Sequence, residues 1–154
     1  MKHLTGLLAL FLCAALPLYA AGLDDLTWTT TNGEVTITDC DTEATGELVI
    51  PGTIGGNPVT SIGIEAFYQC SSLTSITIGD GVTSIRERAF YVCSSLTSIT
   101  IPDSVTSIGE RAFAGCTSLT SITIPDSVTS IGERAFFVCS SLTIVTIGDL
   151  SLIH

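Results

Sequence analysis

The sequence predicts a repeat solenoid, and three features of its 154 residues support this. Cysteines recur at a fixed spacing of 23 residues, at Cys70, Cys93, Cys116 and Cys139. The segments that end in these cysteines are nearly identical, as "SIRERAFYVC" and "SIGERAFAGC" illustrate. Each unit also repeats the same order of apolar and polar residues. A sequence period of about 20 to 50 residues is typical of solenoids, in which each copy stacks on the next.

Each unit begins with a strand pattern. In "LTSITIPDSVTSIGERAFAGCTS", which starts at position 96, Ile99 and Ile101 alternate with Ser98 and Thr100. Alternation of this kind is typical of a half-buried strand, and the proline that follows ends it because proline cannot donate to a ladder. The segment "VTSI" predicts a second short strand. The apolar spacing of "GERAFAGC" predicts one or two helical turns.

A single unit cannot fold alone. Burying six large apolar side chains contributes about 12 kcal/mol, at about 2 kcal/mol each. Ordering the backbone of 23 residues costs roughly 23 to 46 kcal/mol. Stacking is therefore required, because it buries the same side chains from both sides and pairs the strands of neighbouring coils.

Three segments are predicted along the chain. Residues 1–20 have the layout of a secretory signal peptide, with Lys2 ahead of an apolar stretch and small residues near Ala20. Residues 21–44 are predicted to form a β-hairpin cap. Residues 45–154 are predicted to hold about four 23-residue coils, of which the last is incomplete. The extra residues of "IPGTIGGNPV", from Gly55 to Pro58, are expected to lie in a loop.

The hairpin prediction rests on Asn32-Gly33, the preferred pair for a type I′ turn, between two β-rich runs. We expect residues 26–38 to form a small antiparallel ribbon. Its apolar side chains, Trp28, Val35 and Ile37, are expected to cover the first coil.

The repeats resemble the BspA-like, or treponemal-type, leucine-rich repeat family of secreted bacterial surface proteins. The pattern L-x-x-I-x-I-P-x-x-V-x-x-I-G-x-x-A-F-x-x-C fits residues 96–116 and 119–139 almost position by position. The resemblance implies a right-handed solenoid with a parallel sheet of "LTSITI" strands on its concave face and the "ERAF" turns on its convex face. It also implies extracellular adhesion or protein recognition rather than catalysis.

Charge narrows the set of partners. Without the predicted leader the chain keeps four arginines against fifteen acidic residues, a net charge of 4 − 15 = −11. Such a surface repels nucleic acid and anionic lipid heads, so we expect neither nucleic acid nor direct membrane binding. An extracellular protein partner is expected instead.

The repeated polar and thiol side chains do not predict an enzyme or a cofactor site. Cysteines at one uniform spacing, without an internal histidine, do not match a zinc site, and we favour buried packing thiols over disulfides. Cys40 lies outside the 23-residue register. A row of aspartates, Asp80, Asp103, Asp126 and Asp149, is interpreted as solvated turn residues, with a calcium-dependent module as a weaker hypothesis. No catalytic motif occurs.

Surface rows of ionic and hydroxyl residues complete the predicted solenoid. The Glu-Arg pairs of the "ERAF" segments are expected to pair between coils, and Glu65 aligns beneath Arg88. The exposed strand positions form a neutral hydroxyl strip, which we predict as the ligand-binding surface: Ser75, Thr77, Ser98, Thr100, Ser121, Thr123 and Thr146. The alternative is that threonine occurs at these positions only because β-branched residues favour strands.

The predicted function is a secreted or cell-surface module for protein recognition or adhesion. The alternative is a structural or adhesive fragment of a larger or self-associating assembly. The last coil is followed by "GDLSLIH" and not by a completed unit, so self-association through that end is expected.

Overall fold

The computed structural model describes residues 20–148. Apart from Ala20, the predicted signal peptide lies outside the described residues, as does Asp149. The boundaries of the three predicted segments therefore stay a prediction. Within the described part, the chain forms a β-solenoid whose only helical element is a 3₁₀ turn at Leu23–Asp25.

The N-terminal hairpin is present. Strand β1 (Leu26–Thr31) runs antiparallel to β2 (Glu34–Cys40). Asn32 and Gly33 join them with φ values of 53° and 80°, the two positive angles that a type I′ turn requires.

Only part of the predicted cap is correct. Val35 and Ile37 of β2 are fully buried, whereas Trp28 of β1 is 36% exposed. Strand β2 pairs in parallel with the first coil, while β1 is the outermost strand and has no coil beneath it. The expectation that Trp28 covers the first coil is therefore wrong.

The first coil opens with β3 (Gly46–Ile50) and continues into β4 (Thr53–Ile54) and β5 (Asn57–Ile62). The inserted residues do not form a plain loop. Strands β4 and β5 pair antiparallel across Gly55 and Gly56, whose φ values of 59° and 83° permit the tight turn. Pro58 sits inside β5 and faces Thr53.

The "VTSI" segments stack into one sheet. They form β5, β7 (Ser84–Ile85), β9 (Ser107–Ile108) and β11 (Ser130–Ile131), paired in parallel. From β7 onward, each residue pairs with the residue 23 positions later. The hairpin continues this sheet, in the order β1-β2-β5-β7-β9-β11.

The "LTSITI" segments form a second set of parallel strands. After β3 these are β6 (Leu73–Ile78), β8 (Ser98–Thr100), β10 (Ser121–Ile124) and β12 (Ile144–Ile147). Pairing follows β3-β6-β8 and β10-β12. A 3.4 Å bond from the Thr120 N–H to the Thr97 carbonyl links the two groups. Within residues 20–148, five strands therefore mark five coils, where the sequence predicted about four.

The "ERAF" segments are turns, so the prediction of helical turns is wrong. Alternate N–H groups bond to the next coil: Phe67 to the Ala89 carbonyl at 2.7 Å, and Phe90 to that of Ala112 at 2.8 Å. The N–H groups between them bond three residues back along their own chain, as Tyr68 does to the Glu65 carbonyl at 2.9 Å. Arg88 and Arg111 also adopt left-handed φ values of 51° and 52°, which a helix excludes.

A ladder of stacked side chains forms the core between the strands and the turns. Phe67, Phe90 and Phe113 are fully buried. Together with Phe136 their rings stack at centroid distances of 4.9, 5.2 and 5.4 Å. These distances are close to the strand spacing of about 4.8 Å, so the coil repeat sets the ring stacking. No buried residue of the described chain is polar or charged.

Candidate binding face

The residues of the predicted hydroxyl strip lie on two groups of paired strands, β6-β8 and β10-β12, and we name them the Ser/Thr face: Ser75, Thr77, Ser98, Thr100, Ser121, Thr123 and Thr146. Ser75 pairs with Ser98, and Thr77 with Thr100. Thr123 pairs with Thr146. Residues alternate across a strand, so the intervening Ile76 and Ile122 are buried. All seven side chains are exposed except Ser75, which is half-buried.

The hydroxyls of the Ser/Thr face are unpaired. Within residues 20–148, none of the seven bonds to another protein atom. The threonine that comes just before these strands, such as Thr97 before β8, has a hydroxyl that bonds to the preceding coil. The Thr97 hydroxyl donates to the Thr74 carbonyl at 2.9 Å, and Thr143 donates to that of Thr120 at 3.3 Å. In "LTSIT", the hydroxyl of the first threonine therefore joins two coils, whereas the hydroxyl of the second threonine is unpaired.

Three further residues extend this face at its ends. Glu47 pairs with Ser75, and Val49 with Thr77. Val49 is 64% exposed. At the opposite end Ile144, which stands where the repeat has serine, pairs with Ser121 and is 58% exposed. Sequence reasoning missed Glu47 and Val49, because "GELVI" lacks the serine and threonine of the repeat consensus.

The aspartate row does not form a metal site in the described chain. Asp80, Asp103 and Asp126 are exposed, and Asp149 lies outside the described residues. Within residues 20–148, no three His, Cys, Asp or Glu side chains are grouped closely enough to hold an ion. The calcium-dependent module therefore stays a hypothesis without a site in this part of the chain.

The ionic row on the turns differs from the prediction. Arg88 reaches Glu65 of the preceding coil at 3.1 Å, and this hydrogen bond raises the pKa of the guanidinium. Arg111 and Arg134 instead pair with Glu110 and Glu133, their own neighbours, at 3.2 and 3.3 Å. In the 23-residue register arginine stacks on arginine, so only the degenerate first unit places a carboxylate beneath one. Pairing between coils is therefore confirmed for Arg88 with Glu65, whereas Arg111 and Arg134 pair within their own coils.

The cysteines form a column of free thiols: Cys40, Cys70, Cys93, Cys116 and Cys139. All are buried except Cys139, which is half-buried. Each of the last three donates to the phenylalanine carbonyl of the preceding coil, at 3.0 to 3.2 Å. The predicted burial of these thiols is confirmed, and their preference for packing over disulfides stays a prediction.

Cys40 belongs to this column. The Cys70 thiol points to the Cys40 carbonyl at 3.7 Å, although 30 residues separate the two. The insertion that contains Gly55 and Gly56 lengthens the chain between them, which hides the register in the sequence.

Hydrogen bonding and burial raise the pKa of three of these thiols, Cys40, Cys93 and Cys139. The bond with Cys70 and then burial raise the pKa of Cys40, and the bond with Cys116 and then burial raise that of Cys93. Burial raises the pKa of Cys139 to about 11. Nucleophiles and metal ligands need the thiolate, which these values suppress at neutral pH.

A shallow groove lies on the other sheet. It measures about 480 Å³, and Ser84, Ser107, Ser130 and Arg86 are among its lining residues. Gly109 also lines it, and a Cβ at Gly109 would clash with the backbone of Arg86 and Glu87 in the preceding coil. Sequence reasoning did not identify it, because the gap appears only when the coils stack.

These features define a leucine-rich-repeat solenoid. The sequence model of the BspA type leucine rich repeat region matches residues 48–153 with six copies. The chain belongs to the BspA-type leucine-rich repeat family. No curated protein matches it in sequence.

Solved structures of bacterial leucine-rich repeat proteins are similar to this chain. One from Bacteroides capillosus is 32% identical with a TM-score of 0.71, over 80% of this chain and 94% of that one. The Treponema pallidum leucine rich repeat protein is 29% identical with a TM-score of 0.61, over 82% and 71%. A leucine rich cell surface protein of Faecalibacterium prausnitzii is 25% identical with a TM-score of 0.71. This chain covers only 38% of that protein, and 82% of its own length matches.

Among residues 20–148, no helix has the length and apolar character needed to cross a bilayer.

Proposed function

We propose that this protein is an exported module that acts at the cell surface or outside it, and that it recognises a protein partner through the Ser/Thr face. Family membership supports the class of function, since this fold is typical of binding modules rather than enzymes. The similar F. prausnitzii protein is described as a cell surface protein, which supports the location. The unpaired hydroxyls of the Ser/Thr face are the observation that carries the proposal.

Binding through these hydroxyls is physically favourable because the surface is pre-organised. Each side chain is short, and its strand is held by a buried neighbour such as Ile76 or Ile122. Little conformational entropy is therefore lost when a partner binds. The free hydroxyls both donate and accept hydrogen bonds, so a polar protein surface is matched without burying an unpaired charge.

Charge further selects the partner. The chain carries a net charge of −10, so acidic surfaces are repelled. Glu47 and the exposed aspartates favour a neutral or basic partner. Val49 and Ile144 supply apolar contacts at the two ends of the face.

The test is capture of extracellular proteins from host or neighbouring cells with two matched double variants. Thr100→Lys/Thr123→Lys places two cations on the Ser/Thr face. Thr29→Lys/Thr31→Lys places the same charge on the exposed outer strand β1, as a control. A true partner should bind the control like the wild type and the first variant at least about tenfold more weakly.

The two parts of the proposal can fail separately. A partner that binds both variants equally would reject the Ser/Thr face as the site. Capture of no protein beyond background would reject the binding function.

A further inference from the structure

The second unit carries a cation that no carboxylate neutralises. Arg86 stands where the other units have glycine, at Gly63, Gly109 and Gly132. The three other arginines of the described chain each lie between 3.1 and 3.5 Å from a glutamate. Within residues 20–148, the guanidinium of Arg86 forms neither an ion pair nor a hydrogen bond. Its charge is therefore available to a ligand.

The close approach of the coils explains the glycines at this position. A Cβ at Gly63 would lie 2.6 Å from the Ile37 carbonyl oxygen. At Gly109 it would lie 2.5 Å from the carbonyl carbon of Arg86. Such contacts favour a residue without a side chain. Coil stacking alone therefore does not account for the arginine in the second unit.

The first unit departs from the repeat at a neighbouring position. Ile64 stands where the other units carry glutamate: Glu87, Glu110 and Glu133. Its side chain is 52% exposed. The Arg86 N–H donates to the Ile62 carbonyl at 3.0 Å, which holds the two segments on adjacent coils. Ile64 and Arg86 both line the groove of about 480 Å³ on the "VTSI" sheet. Two departures from the repeat therefore meet in one groove.

The two departures act together on the charge of the groove. Isoleucine at position 64 removes a carboxylate that would compete for the guanidinium of Arg86. The remaining carboxylate in the groove belongs to Glu87, which pairs with Arg88 at 3.5 Å. The groove therefore presents an unpaired cation beside an exposed apolar side chain.

A second hydrogen-bond donor lies in the same groove. The hydroxyl of Ser107 has no partner within the described chain, whereas the hydroxyl of Ser84 donates to that of Ser61 at 2.9 Å. A carboxylate only accepts hydrogen bonds, and a guanidinium offers it two parallel N–H groups. Arg86 and Ser107 together therefore supply the donors that a carboxylate needs.

We propose that this groove binds the C-terminal carboxylate of a peptide chain whose last side chain is apolar. Arg86 and Ser107 donate hydrogen bonds to the carboxylate, and the last side chain packs on Ile64. Adjacent coils are about 4.8 Å apart. A terminal residue carries its carboxylate and its side chain on one Cα, so it spans this distance. The volume of the groove also falls within the range of about 300 to 1,000 Å³ that is typical of small-ligand sites.

Charge favours a carboxylate over a phosphate group. One guanidinium balances the single charge of a carboxylate. A phosphate group carries a charge of about −1.5 to −2, and the excess would be repelled by Glu87 and by a chain of net charge −10. Neutral and basic proteins also end in a carboxylate, so the ligand need not be acidic overall. The inference is independent of the Ser/Thr face, which lies on the other set of strands.

Titration of the isotope-labelled protein, followed by NMR, tests the proposal. The probe is the peptide acetyl-Ala-Ala-Leu with a free carboxylate, and its C-terminal amide is the matched ligand without the charge. The free acid should shift the signals of Ser107, Gly109 and the Arg86 side chain, with a dissociation constant of about 1 mM or less. The amide should bind at least about tenfold more weakly.

Variants that restore the repeat separate binding from folding. Arg86→Gly and Ile64→Glu introduce the residues that the other units carry, so both should fold, and each should weaken binding at least about tenfold. Arg111→Gly removes the same charge from a turn outside the groove. Its φ of 52° suits glycine, so this variant should fold and bind like the wild type. Circular dichroism spectra identical to wild type would show that each variant is folded.

Four outcomes would overturn the inference. The first is the absence of any signal shift up to about 10 mM of the free acid. The second is equal binding of the acid and the amide, and the third is wild-type binding by Arg86→Gly. The fourth is binding of inorganic phosphate or glucuronate as tight as that of the peptide, which would assign the groove to anions in general or to acidic sugars.

Discussion

Replacing a stacked phenylalanine by alanine should lower the free energy of unfolding by an amount that depends on its position in the ladder. Phe113 is fully buried between two rings, at 5.2 Å from Phe90 and 5.4 Å from Phe136. Phe113→Ala removes both contacts and leaves a cavity, so we expect a loss near the upper end of about 3 to 5 kcal/mol. Phe136 is half-buried and has one ring partner, and Phe136→Ala should cost about half as much.

Urea denaturation followed by circular dichroism measures the difference. With an m-value of about 2 kcal/mol/M, a loss of about 4 kcal/mol lowers the midpoint by about 2 M. If Phe113→Ala is unfolded without urea, Phe113→Leu keeps most of the volume and gives a smaller, measurable loss. Equal midpoints for the alanine variants at 113 and 136 would refute the stacking argument.

Two further predictions concern the hydroxyls and the thiols. Thr97→Val removes a 2.9 Å bond to the Thr74 carbonyl and should cost about 0.5 to 1.5 kcal/mol, whereas Thr100→Val should be nearly neutral in urea melts; the reverse order would contradict the division of the two threonines. Folding raises the pKa of Cys139 from 9.0 to about 11, so its contribution to stability is present below pH 9 and is lost as pH rises through 11. Thiol reagents near pH 8 should modify Cys139 slowly and Cys93 only after denaturation; rapid native labelling of Cys93 would argue against the buried column.

Several elements could be predicted from the residues of one short segment. Asn32-Gly33 predicted its turn because few other pairs accept two positive φ values. The alternation around Ile99 predicted both the buried residue and its exposed neighbours, since the strand period is fixed at two.

Other features depend on the neighbouring coil, and sequence reasoning misread them. The spacing of "ERAF" resembles a helix, but every second N–H group of the segment bonds to a carbonyl of the next coil, so a continuous helix does not form. Trp28 has an apolar side chain in an apolar pattern, yet its strand has no coil beneath it. Arg111 has arginine and not glutamate above and below, so it pairs within its own coil.

The sequence by itself determined the repeat length, the residues that face the core and the strands that carry the Ser/Thr face. These features follow from the periodic order of apolar and polar residues, which is visible within each unit. Only the tertiary structure decided which threonine hydroxyls are free and that Cys40 joins the thiol column. These depend on distances between residues about 23 or more positions apart, which arise only when one coil lies on another.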